Sequence, residues 1–125
     1  MLLSLALSTL APNAYAASAV AVNGKNLRYE FAYNLPTENE AIDRALKGCF
    51  RRGGRDCRIV VSCGGGGFGA IYTGRFRDHP VTVIGASCGA ASADEAHRAA
   101  ALSCNAQLRS NQCAASTIGW QDTLE

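Results

Sequence analysis

No lysine or arginine precedes the apolar run Leu2 to Leu10, and no cysteine precedes Cys49. The first absence leaves the run without the cationic flank that usually opens an export leader, so the amino terminus or residues upstream must serve instead. The second absence removes any acylation site at the start of a mature chain, which points away from a lipid-anchored product. No apolar stretch reaches the roughly 20 residues a membrane-crossing helix needs. Leu2 to Leu10 is too short, and Pro12 breaks it. Ala14-Tyr15-Ala16 follows, the small-x-small pattern at which leaders are cut. Residues 1–16 therefore read as a signal peptide and residues 17–125 as a single domain. Removing 16 of the 125 residues leaves 109, a modest core that cross-links would help.

Other absences bear on chemistry. There is no Cys-x2-Cys, the close pair that zinc sites usually use. There is no Gly-x-Ser-x-Gly, and nothing else marks a nucleophile. The formal charge is only +2, too mild to name a partner.

What is present is an internal repeat. Thr37-Glu38-Asn39-Glu40-Ala41 matches Ser92-Ala93-Asp94-Glu95-Ala96 at an offset of 55 residues. The offset carries Ala45 onto Ala100 and Cys49 onto Cys104, and one inserted residue carries Cys57 onto Cys113. Each copy opens with Ser/Thr-x-x-Glu, a capping box in which the hydroxyl accepts from the third N–H and the Glu reaches back to the cap's N–H. In the first helix Ala41, Ile42, Ala45, Leu46 and Cys49 share one face. Gly53-Gly54 stops it, and Lys47, Arg51 and Arg52 suit its C-terminal end. In the second helix Ala96, Ala100, Ala101, Cys104 and Leu108 form a stripe of smaller side chains, which lets that helix sit close to its cover.

Strand signals flank each helix. Residues 19–22 lead into the Asn23-Gly24 turn, and the return strand runs from about 27 to 33 with Tyr29, Phe31 and Tyr33 on one side. Residues 57–63 are short and β-branched. The second copy offers 68–73, 81–86 and 115–120. Each copy reads strand, strand, helix, strand. The expected fold is α+β: two β-β-α-β repeats, about 17–63 and 68–120, related by a pseudo-two-fold axis. A small antiparallel sheet packs against two helices around one shared core.

Ala41-x3-Ala45-Leu46-x2-Cys49, Gly54-Arg55-Asp56-Cys57-Arg58-Ile59-Val60, Cys63 and Phe68-Gly69-Ala70-Ile71, taken in order and doubled, resemble the small exported bacterial proteins of domain of unknown function 4189. The likeness covers about 19–113. It implies export and a compact repeat, and it supplies no catalytic residue. Three features depart from that family's pattern: Gly64 to Gly67 separate the third cysteine from the Gly-Ala strand, Cys88 stands where no family cysteine is expected, and the first copy has Ala19-Val20-Ala21-Val22 in place of the aromatic-Gly-Ala form.

Six cysteines in a short exported chain read as structural disulfides, with fifteen pairings open. The expected set is Cys49–Cys57, Cys104–Cys113 and Cys63–Cys88. The first two are the same staple in each copy, joining a helix end to the next strand.

Further candidates are weaker. His97 takes the place of Ile42 and reads as a packed or half-exposed side chain, and His79 precedes Pro80 in a turn. Gly64 to Gly69 satisfies G-x-G-x-x-G, but a strand rather than a helix follows, so no helix N-terminus awaits a pyrophosphate and a flexible link between copies is expected. Arg44, Lys47, Arg51, Arg52 and Arg55, with Arg58, crowd into fifteen positions, a candidate surface for an anionic partner or simply a solvated helix face.

The expectation is an exported module, periplasmic or secreted, that binds a protein or cell-envelope partner, as an inhibitor or immunity-type protein does. No cofactor, metal or nucleic acid is expected. The alternatives are a small extracellular hydrolase using carboxylates or His97, and a metal or redox protein if the cysteines are free.

Overall fold

The computed structural model describes residues 16–25, 28–75, 82–108 and 113–122. The leader expected over 1–16 lies outside them, except for Ala16, as does His79.

The element order is β1 (Ala17–Asn23), β2 (Tyr29–Leu35), α1 (Glu38–Arg51), β3 (Cys57–Cys63), β4 (Gly67–Arg75), β5 (Thr82–Ala90), α2 (Ala93–Leu108) and β6 (Ala114–Asp122). The two β-β-α-β repeats are therefore present. Their six strands form two antiparallel sheets, one per repeat, in the orders β2-β1-β3 and β5-β4-β6.

The reason for two sheets lies in β1. Its residues alternate Ala17, Ala19 and Ala21 with Val20 and Val22, and all of them are buried. The alanines pack with Ala41, Ala45 and Cys49 of α1. The valines face the other way, toward Ile71, Ile84 and Trp120 of the second sheet. On the far side, Ala70 packs with Ala96 and Ala100 of α2. The result is four layers, helix, sheet, sheet, helix, and the shared core is the middle interface. Alanine on the helix-facing side lets each helix lie close, and the branched side chains fill the wider inter-sheet space.

Helix starts follow the caps. Thr37, extended at φ −135° and ψ 158°, accepts from the Glu40 N–H at 3.1 Å, and Ser92 accepts from the Glu95 N–H at 3.1 Å. The return arm differs from the expected box, because the Glu40 carboxylate accepts from the Thr37 hydroxyl at 3.2 Å. At the other end of α1, Arg52 is the C-cap and Gly53 follows at φ +88°, a left-handed stop that suits glycine.

The close seat of α2 depends on Gly85. A Cβ there would meet the Ala100 carbonyl oxygen and the Cys104 backbone nitrogen. Gly85→Ala is expected to cost about 2 kcal/mol, because helix backbone rather than a mobile side chain must yield. Urea unfolding checks this, and an unchanged midpoint would mean that α2 moves outward freely. The Ser87 hydroxyl donating to the Ala96 carbonyl at 2.6 Å and the Gln107 amide donating to the Ile84 carbonyl at 2.7 Å fix the same contact.

All six cysteines are bonded, as Cys49–Cys57, Cys63–Cys88 and Cys104–Cys113. The outer two staple each helix end to the strand after it. The central one is the only bridge between repeats, and it joins β3 to β5.

The pseudo-symmetry extends to irregularities. The β1–β2 register slips between Ala17 and Ala19, and the β4–β5 register slips between Phe68 and Ala70. The extra residue lies at Asn34 (φ 58°) in one copy and Gly89 (φ 72°) in the other, again 55 positions apart. Each is a bulge of the kind that turns on a left-handed residue. The glycine run is partly taken into the fold. Gly66 and Gly67 have φ of +83° and +109°, Gly66 N–H donates to the Ala16 carbonyl at 2.9 Å, and Gly67 already belongs to β4.

Candidate functional site

The cationic residues singled out in the sequence lie along the second half of α1 and in the segment that follows it. On that helix Ala41, Ala45 and Cys49 are buried, so Arg44, Lys47 and Arg51 stand on the outward face. The Cys49–Cys57 bridge folds the next segment back against the helix end, and Gly54 N–H donates to the Cys49 carbonyl at 3.0 Å. That loop carries Arg52 and Arg55 beside the helix, with exposed Arg58 at the start of β3.

Two of these cations are locally neutralised. Lys47 Nζ lies 3.0 Å from Asp43, one helical turn back, with both side chains well exposed. Arg52 Nε lies 2.6 Å from Glu30, which is mostly shielded on β2. The exposed Lys47 pair adds little to stability. Arg44, Arg51, Arg55 and Arg58 make no ion pair among the described residues and face solvent.

Sequence reasoning missed Phe50. It sits between Cys49 and Arg51 on α1 and is 51% exposed, a large apolar ring among cations. Its helical phase was the available signal, since it falls off the stripe set by Ala41, Ala45 and Cys49. Between the end of α1 and β2 a depression of ≈ 280 Å³, open mouth included, is lined by Asn23, Arg28, Tyr29, Glu30, Cys49 and Arg52, without Phe50. The Glu30–Arg52 pair forms part of its wall.

The remaining candidates separate from this surface. His97 is half-buried on α2, with Nδ1 3.2 Å from the Tyr72 hydroxyl and the two rings edge to face at 5.6 Å. Its Nε2 side approaches Gly119. Ser62 donates to Glu38 at 2.6 Å on the opposite repeat. These contacts tie helix to sheet in each half. With every cysteine bonded, the condition attached to thiol chemistry is not met. Among the described residues no group of three His, Cys, Asp or Glu side chains is placed to hold a metal ion, and no helix is long and apolar enough to cross a membrane.

One further group was not legible. Asp122 is 3% exposed at the end of β6, and its Oδ1 accepts from the Asn34 N–H at 2.7 Å, tying the two sheets together.

No curated protein and no solved structure matches the chain. One family model does match, described as Domain of unknown function (DUF4189), over residues 15–120. That span takes in both repeats and all three bridges, and the chain therefore belongs to the DUF4189 family.

Proposed function

We propose that the protein is an exported interaction module that binds an acidic surface of another envelope or secreted protein through the outward face of α1 and the loop into β3. The observation that carries this reading is Phe50, half exposed at the end of α1 directly before Arg51 and Arg52, on a helix whose outward face also carries Arg44 and Lys47. An apolar ring is costly to leave in water, and a pairing of aromatic and arginine side chains is the composition that protein interfaces favour. A surface serving a simple polyanion has no need of the ring. Three disulfides support maturation in an oxidising compartment, the periplasm or outside the cell. The small-x-small pattern at Ala14 to Ala16 supports a leader cut after Ala16.

Affinity capture from envelope and secreted fractions tests the reading. The oxidised protein should retain an acidic partner that salt releases, since exposed charges steer and screen in this way. The Arg44→Glu/Arg51→Glu/Arg55→Glu variant should lose that partner while its unfolding midpoint stays put. Phe50→Ala should weaken binding by about 30-fold, the effect of losing a central anchor. Equal retention by wild type and both variants would sink this surface as the contact.

A further inference from the structure

We propose that cutting the Ala16–Ala17 bond completes the fold, by placing the new α-ammonium of Ala17 against the buried carboxylate of Asp122. The inference rests on the reading of residues 1–16 as a leader.

The starting observation is an imbalance. Asp122 is 97% buried, its Oδ1 is held by the Asn34 N–H, and its Oδ2 has no partner. An unpaired buried carboxylate oxygen is expensive and calls for a donor, best a charged one. No Lys, Arg or His among the described residues forms an ion pair with it. Among the described residues the other buried side-chain polar atoms without partners are Ser18 Oγ and Trp120 Nε1. One belongs to the residue after Ala17, the other to the residue two before Asp122. Among the described residues the buried side-chain atoms without partners thus lie beside the bond in question, at Ser18, and at the end of β6.

The backbone places that bond at Asp122 from two directions. Ala17 pairs with Leu35, the neighbour of the Asn34 that bonds Asp122. The Ala16 carbonyl accepts from Gly66 N–H at 2.9 Å, and the next residue, Gly67, pairs with Asp122 itself. Paired strand residues lie about 5 Å apart and successive Cα atoms about 3.8 Å, so these steps put Ala17 within roughly 12 Å of the Asp122 side chain.

Hydrolysis supplies what is missing. Water adds its hydroxyl to the Ala16 carbonyl carbon as the C–N bond breaks, and the Ala17 nitrogen takes up the protons that make it an ammonium. Before the cut Ala17 offers one N–H and no charge; afterwards it offers three and a positive charge, a charge-assisted partner for Oδ2. The cut also gives up the Gly66 to Ala16 hydrogen bond, which the new pair has to exceed. The leader-bearing chain is then the less stable form, and processing secures the native state only after export.

The experiment compares four oxidised proteins. Two begin at Ala17, released from a fusion that leaves no extra residue; two begin at Ala16 with a preceding glycine. Each start is made with Asp122 and with Asp122→Asn. Extension should lower the midpoint by about 5 °C when Asp122 is present and leave it nearly unchanged in Asp122→Asn. Equal losses in both backgrounds would overturn the pair. Should Asp122→Asn fail to fold, free and Nα-acetylated chains starting at Ala17 decide, and equal midpoints for them overturn it. N-terminal sequencing of the exported product tests the leader separately. A start other than Ala17 sinks the leader reading without touching the thermal result.

Discussion

Trp120→Ala should lower the unfolding free energy by about 4 kcal/mol, the largest effect of any single side chain here. Trp120 is only 7% exposed and sits in the inter-sheet layer with Val20, Val22, Ile71 and Ile84. Its ring lies against the backbone of Gly69, where a Cβ would collide with Cε2 and Cζ2. It stacks on Phe31 at 5.4 Å, and Phe31 stacks on Tyr33 at 5.8 Å. Removing the ring opens a void between two sheets whose backbones are pinned elsewhere, so little collapse can fill it. Urea unfolding with the bridges intact measures the loss. A value below about 1 kcal/mol would mean that the layer closes over the gap, contrary to the packing described.

The double variant Cys63→Ala/Cys88→Ala should cost about 3.5 kcal/mol, on the chain-entropy account of a cross-link 25 residues apart in sequence. Separations of 8 and 9 residues put the other two bridges at about 2.5 kcal/mol each. The ranking is the sharper test, because it depends on loop length alone. Each pair is replaced in turn and unfolding is followed in urea without reductant. If the central pair proves the least costly, noncovalent contact between the sheets already holds the repeats in register and the bridge is redundant.

These two variants address opposite ends of one interface. Ala19 pairs with Ala32 and Ala70 with Ser87, and those partners are 55 residues apart. The preceding positions, Ser18 and Gly69, pair with Cys63 and Trp120 respectively. Tyr33 and Cys88 are likewise 55 apart. The aromatic stack at the β2–β6 end and the disulfide at the β3–β5 end therefore use equivalent positions. One end is closed by packing and the other by a covalent bond.

Much of this fold was legible in the sequence because local chemistry and repetition agreed. The caps at Thr37 and Ser92, the stop at Gly53 and the doubled cysteines set the order of elements and the two outer staples. The two-sheet layering was not legible. A strand reading Ala-Ser-Ala-Val-Ala-Val looks apolar throughout, and only burial shows that its alanines serve a helix and its valines a sheet. The bulges at Asn34 and Gly89 were hidden because nothing local demands a slip in register there. Of the candidate site, the cationic cluster was plain from composition, whereas Phe50 and Asp122 were not. Phe50 needed its helical phase compared with the buried stripe. A carboxylate near the end of a strand ordinarily lies in water, and only the position of Asn34 in the facing sheet shows otherwise.

A dimer of two identical halves must carry the same residue at both symmetry-related places, so whatever closes one end closes the other. One chain with two separately encoded halves escapes that rule. Here the freedom extends to the helices as well as the interface: α1 carries Arg44, Lys47 and Arg51, and α2 carries only Arg98. One half can thus change its outer face for contact while its twin keeps the scaffold, and a substitution in either helix has to suit one environment rather than two.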